Sequence, residues 1–260
     1  MKFQTLKTET RNKVLSCWLD RPEKRNALSL EMLGELLNLF NEIEEKQEFR
    51  LLVLRGSGKV FSAGADLSLM SDVSGKTEKE LMLEAGFFYN CFDELSRLPI
   101  PTICYTQGGV HGGANGLVAA CDYTMADSAT RFSFGEVKLG LVPATVAPFI
   151  VRRTGMINAK KMMLGGYVFG VDEAMKMGLI DYLIPESSAD HKIREISEEI
   201  LRNAPKAISI TKKLLLEIDD FRETEELKAL CTSVIASSRL SDEAKEGIDA
   251  FFAKRNPGWY

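Results

Sequence analysis

Two glycine-containing loops and one glutamate carry the chemistry this sequence can offer. The first loop is Phe61, Ser62, Ala63, Gly64, Ala65, Asp66 and Leu67; the second runs from Gly108 through Gly109, Val110, His111, Gly112, Gly113, Ala114 and Asn115 to Gly116. Each follows a strand-like stretch, and each offers backbone N–H groups that no large side chain screens. Two such groups aimed at one point would hold a carbonyl oxygen while negative charge develops on it. Removing one donor of that kind typically costs about 3 kcal/mol of transition-state stabilisation. Glu136 follows among Phe132, Phe134, Val137, Leu139 and Leu141. A carboxyl in apolar surroundings binds its proton more tightly, which suits acid–base work near neutrality. Oxyanion donors plus one acid–base group suit reactions at the α and β carbons of a thioester. Read plainly, the glycines mark tight turns, their default use, and Glu136 is an exposed strand or loop residue.

Other readings of the glycines fail on spacing. Gly108 to Gly113 spans G-x-x-x-x-G, but Ala114 stands where a phosphate-binding loop needs lysine. The dinucleotide pattern G-x-G-x-x-G is not matched. His111-Gly112-Gly113 resembles a lipase oxyanion stretch, yet no G-x-S-x-G supplies a nucleophile. His111 and His191 are the only histidines, and neither H-E-x-x-H nor C-x-x-C occurs, so no metal site is expected. His111 reads as a packing or loop hydrogen-bonding residue before an acid–base one. Asp66 could be catalytic, or could cap a turn.

The elements that must position these groups alternate. Val14 to Leu19 reads as a strand, Pro22 and Asn26 mark a loop, and Ser29 caps a helix through Glu45. Leu33, Leu36, Leu37, Phe40 and Ile43 recur at helical spacing and face the core. Leu51 to Leu54 is an apolar strand, and a helix from about Thr77 to Leu98 stops at Pro99 and Pro101. Thr102 to Tyr105 is a strand, Ala114 to Ala120 a helix, and Asp122 to Ala126 a strand. This succession predicts an α/β fold with helices packed on sheet faces. Residues 184–190 read as a linker, with charged helices beyond it over 193–203 and 207–218. The predicted division is a core over 1–190 and a helical region over 191–260.

The bulk properties are ordinary. Of 260 residues, 45% are hydrophobic and 27% charged, and the net charge of −4 implies no nucleic-acid partner. No secretory leader and no run long enough to span a membrane is visible, so a cytoplasmic location is expected. Five widely spaced cysteines read as buried thiols, not as a disulfide framework.

Taken together and in order, several stretches resemble the crotonase (enoyl-CoA hydratase/isomerase) superfamily, nearly end to end. They are residues 21–28, 61–67, 112–122, 132–143 and 174–180, and the tail from Glu246 to Arg255. The resemblance implies a spiral of ββα units with a C-terminal helical trimerisation region. It implies a coenzyme A thioester substrate, with no cofactor beyond the coenzyme A the substrate carries. By position, the oxyanion donors fall on Ala65 and Gly113, with Glu136 as the acid–base residue. Residues matching substrate contacts are Lys24, Ala27, Ala63, Gly64, Asp66, Leu67, Gly112 and Gly116. Phe251 and Lys254 match tail residues that reach a coenzyme A molecule, often in a neighbouring subunit.

One departure bears on mechanism. Two-glutamate hydratases of the superfamily have their second carboxylate at the position of Glu136, but their first falls on Gly116. Residues 116–122 and 136–145 resemble a bacterial subgroup assigned as methylglutaconyl-CoA or related branched-acyl hydratases. The resulting expectation is a branched enoyl-CoA hydratase, with Gly116 leaving room for a methyl branch. The alternatives are an enoyl-CoA isomerase or decarboxylase of the same fold, or an acyl-CoA-binding scaffold without turnover. A trimer or dimer of trimers is expected from apolar Leu227, Leu230, Val234 and Ile235.

Overall fold

The computed structural model describes residues 3–66, 68–69, 75–220 and 242–259. β1 (Leu6–Arg11) and β2 (Val14–Leu19) form an antiparallel hairpin. Its turn residues, Asn12 and Lys13, both have positive φ, as a tight hairpin turn requires. β2 then pairs in parallel with β3 (Leu51–Gly56), and the sheet continues through β4 (Thr102–Thr106), β6 (Tyr123–Ala126) and β9 (Tyr182–Leu183). A second sheet holds β5 (Gly109–His111), β7 (Arg131–Ser133) and β8 (Val168–Gly170) in that order.

Eight α-helices are described. α1 (Leu30–Lys46) starts where the Ser29 side chain accepts the Met32 N–H, and it buries Met32, Leu33, Leu36, Leu39, Phe40 and Ile43. Leu37 is only half-buried. α2 (Glu78–Arg97) opens with a reciprocal cap between Thr77 and Glu80. α3 (Ala114–Ala120) follows the second glycine loop, and α4 (Ala147–Gly165) is broken at Gly155, where φ is 73°. α5 (Val171–Lys176), α6 (Glu186–Leu201), α7 (Pro205–Asp220) and α8 (Asp242–Ala253) complete the set.

The main sheet is covered on both faces, which is why β3 is an unbroken apolar run and not an alternating one. Leu52 and Leu54 face the larger core with α1 to α4, while Leu51 and Val53 meet Ala189, Ile193, Ile196 and Ile200 of α6. The stretch predicted as a linker, 184–190, is therefore different in kind: from Glu186 it is helix. Its Pro and Ser residues mark the helix start, and Ala189 is wholly buried against the sheet. Residues 190 and 191 both lie inside this helix. Leu67 and the four residues behind the trimer expectation lie outside the described residues. No described helix is long and apolar enough to cross a membrane. Cys17, Cys91, Cys104 and Cys121 are all buried, and burial pushes the Cys17 thiol up to about 12.

Candidate active site

The two glycine loops run side by side. Ser62 and Val110 form a parallel bridge, with the Ser62 N–H donating to Gly109 O (3.1 Å) and the His111 N–H to Ser62 O (3.2 Å). Two residues further on, Gly64 packs against His111 and Gly112. The approach is close: a Cβ built on Gly64 would stand 2.5 Å from His111 O. The other edge of the first loop is tied to residues 25–28. The Ala63 N–H donates to Arg25 O, the Leu28 N–H to Gly64 O and the Asp66 N–H to Leu28 O. With the neighbouring amides so used, the N–H groups of Ala65 and Gly113 meet no acceptor among the described residues. Both residues are half-buried, so a ligand can reach them.

Glu136 opens a short 3-10 turn, Glu136–Leu139, just past β7. The Gly112 N–H donates to Ser133 O (2.9 Å), and the Asn115 side-chain amide donates to both Gly112 O (2.9 Å) and Ser133 O (3.0 Å). These bonds draw the start of the Glu136 turn against the second loop. The carboxylate then lies over Gly112, whose built Cβ would be 2.9 Å from Oε1. Gly112 also has φ +51°, so a side chain there would meet both strain and the carboxylate. Glu136 Oε2 is buried without a hydrogen-bond partner. Burial raises the proton affinity of this carboxyl above the ordinary glutamate range, with its own backbone N–H opposing.

The remaining expected residues fall into different roles. Asp66 accepts from Ser68 N and Oγ, and pairs with Arg21 Nη1 at 2.9 Å. Burial alone would raise its carboxyl, but those bonds prevail and hold it below the usual range. It caps a turn. His111 Nδ1 bonds Ser133 Oγ at 2.8 Å, while burial and the nearby Arg25 charge lower its affinity for a proton. It is a loop hydrogen-bonding residue. Ala27 O accepts from Arg21 Nη1 (2.9 Å). Lys24 and Lys254 are exposed, and neither ammonium group forms an ion pair among the described residues. Phe251 lies on α8, and its side chain is outside the described residues.

The expected room beside Gly116 is absent. A Cβ built there would stand 2.5, 2.6 and 2.7 Å from three ring carbons of Phe92. A methyl branch cannot sit in that space. Sequence spacing placed Phe88 and Phe92 on a helix but could not say which partner they face.

A second feature missed as functional is Asn26, which is wholly buried. It accepts the Arg21 N–H and donates to Ser57 O and Val60 O, joining the loop of residues 21–28 to the first glycine loop. Asn26→Ala leaves three backbone groups unpaired. It is expected to destabilise the fold by about 2–4 kcal/mol, read as a fall in the denaturant midpoint at unchanged m-value.

Residues 9–260 match the family model described as enoyl-CoA hydratase/isomerase. This chain belongs to the enoyl-CoA hydratase/isomerase family. It is an enzyme of the crotonase superfamily and has the crotonase α/β fold. A relative from Thermus thermophilus is 35% identical over 246 residues, covering 92% of this chain and 94% of that one. An enoyl-CoA isomerase/hydratase of Mycosarcoma maydis is 31% identical, covering 92% and 89%. The crystal structure of an enoyl-CoA hydratase from Shewanella pealeana superposes with a TM-score of 0.95 at 30% identity, covering 99% of this chain and 97% of that one. In this hydratase/isomerase fold, the paired loops and Glu136 are drawn together by the two sheets.

Proposed function

We propose that this enzyme adds water to a 2-enoyl coenzyme A thioester, needing no cofactor beyond the coenzyme A of its substrate. The observation that carries the reading is a carboxylate with a raised proton affinity seated over Gly112, on paired loops whose Ala65 and Gly113 N–H groups are without acceptors. The thioester oxygen accepts from Ala65 and Gly113. The oxygen of water bonds to the β carbon as Glu136 takes one of its protons, and the electron pair of the double bond moves toward the thioester oxygen. Glu136 then returns the proton to the α carbon. Asp66, Ala63, Gly64, Ala27 and Lys24 belong to the surrounding substrate contacts, and Phe251 and Lys254 reach coenzyme A from the tail of a trimeric assembly.

A branched, methylglutaconyl-like acyl group remains the preferred substrate on the strength of residues 142–148 alone, because Phe92 closes the space at Gly116. The expected result is a higher kcat/KM for 3-methylglutaconyl-CoA than for crotonyl-CoA, with a product heavier by one water. A preference for crotonyl-CoA overturns the branched substrate and leaves hydration standing.

A second reading is favoured by the Gly116–Phe92 contact, which leaves Glu136 without a partner acid. That reading is migration of the double bond in a 3-enoyl thioester. Glu136 takes a proton from the α carbon, the double bond shifts, and the same proton is delivered to the γ carbon. A 2-enoyl product of unchanged mass distinguishes it.

A further inference from the structure

Helix α2 lays a row of aromatic rings along α3. Phe88 and Phe92 are four residues apart, hence on one face of α2. Gly113 and Gly116 are three apart and meet that row. A Cβ built on Gly113 would touch Phe88 Cδ1 at 3.5 Å, an ordinary contact, whereas one built on Gly116 would overlap the Phe92 ring. Phe92 is hemmed in by its neighbours. Its ring is wholly buried and is held edge-on by Phe149 (centroids 5.6 Å, 79°) and by Phe88 (6.4 Å, 66°). The row therefore begins beside a backbone N–H in the site and ends by closing the position one helical turn further on.

We propose that Phe92 is a positioning residue that limits this site to one proton carrier, and so sets the partition between water addition and double-bond migration. The inference rests on the reading of Glu136 above and concerns the same site. The two reactions make different demands. Migration needs one group that takes a proton from the α carbon and gives it to the γ carbon. Hydration needs a water oriented on the β carbon, one proton taken from it and one delivered to the α carbon. A second polar group beside Glu136 serves only the second reaction. The Phe92 ring fills the space that a side chain at Gly116, one turn past Gly113, would enter, and it is apolar.

The test measures both products, the 3-hydroxyacyl and the 2-enoyl thioester, from one 3-enoyl-CoA and from its 2-enoyl isomer, with melting temperature followed in parallel. Gly116→Glu alone is expected to lower the melting temperature and both activities together. Phe92→Ala/Gly116→Glu is expected to recover the melting temperature and to raise the ratio of hydration to migration by at least about tenfold. Phe92→Ala alone moves the ratio in the same direction by a smaller factor. Phe92→Leu keeps the apolar bulk and leaves the ratio as in the parent. A ring with a merely structural role would change both rates in proportion, because both reactions develop their negative charge on the same thioester oxygen. An unmoved ratio in folded Phe92→Ala overturns the assignment. Absence of both reactions in the parent protein overturns instead the reading of Glu136, and this inference with it.

Discussion

Glu136→Gln is expected to lower turnover by about 10²–10⁴-fold while binding of a saturated acyl-CoA stays nearly unchanged. The amide keeps the shape of the carboxyl and cannot accept or return a proton. The carboxylate lies over Gly112 with one oxygen buried and unpartnered, and the amide oxygen of the variant can still accept from the residue's own backbone N–H. The pH behaviour follows from the same burial. Glu136 must be ionised to take a proton, and its proton affinity is raised. Activity therefore falls as pH drops through a value above the ordinary glutamate range, and the acid limb disappears with the residue. For stability the sign is opposite. A carboxyl whose folded pKa lies above its unfolded value favours the folded state below the unfolded pKa, and that contribution is lost as pH rises through the folded pKa. Glu136→Gln is thus expected to be at least as stable as the parent at neutral pH. Retention of more than about a third of parental turnover would remove Glu136 from the chemistry.

The second large effect is expected from Gly64→Ala. Gly64 has φ +91°, and its Cβ would press on the backbone carbonyl of His111 at 2.5 Å. A backbone atom cannot rotate away as a flexible side chain does, so relief requires the two loops to part. The unfavourable φ and the overpacking together are expected to destabilise the protein by about 2–5 kcal/mol. Parting the loops also moves the Ala65 N–H away from the Gly113 N–H. With Ala65 and Gly113 as the proposed oxyanion donors, separating them is expected to lower turnover by about 10²–10³-fold, even at temperatures where the variant is folded. Circular dichroism and turnover at one temperature separate the two effects. A folded Gly64→Ala with parental turnover would show that the opposition of these loops does not matter for catalysis.

The same contrast between local pattern and packing runs through the whole chain. Helix α1 was legible because Ser29 caps it and its apolar residues recur at helical spacing, both local properties of the chain. The strands leading to each glycine loop were legible as apolar runs bounded by turns, and so was the candidacy of Glu136, from its apolar neighbours. The first turns of helix α6 were obscured by Pro185 and two serines, which resemble a linker until Ala189 is seen against the sheet, whereas its body from Ile193 was legible as helix. The short strands β5, β7 and β8 carry too few residues for a period to show, and exist because they pair with one another.

The sequence by itself determined which groups are available: two stretches of small residues with accessible amides, one carboxyl in apolar company, and no metal-binding spacing. It also carried the family likeness, because the likeness lies in residue order. Only the tertiary structure decided how the groups meet. The bridge of Ser62 to Val110 brings the first glycine loop beside the second, across a separation in sequence that no local pattern spans. Folding likewise turned the bare position at Gly116 from an open space into one filled by Phe92. A glycine records only that its own side chain is missing; what occupies the vacated volume is set by a neighbouring helix, 24 residues earlier in the chain.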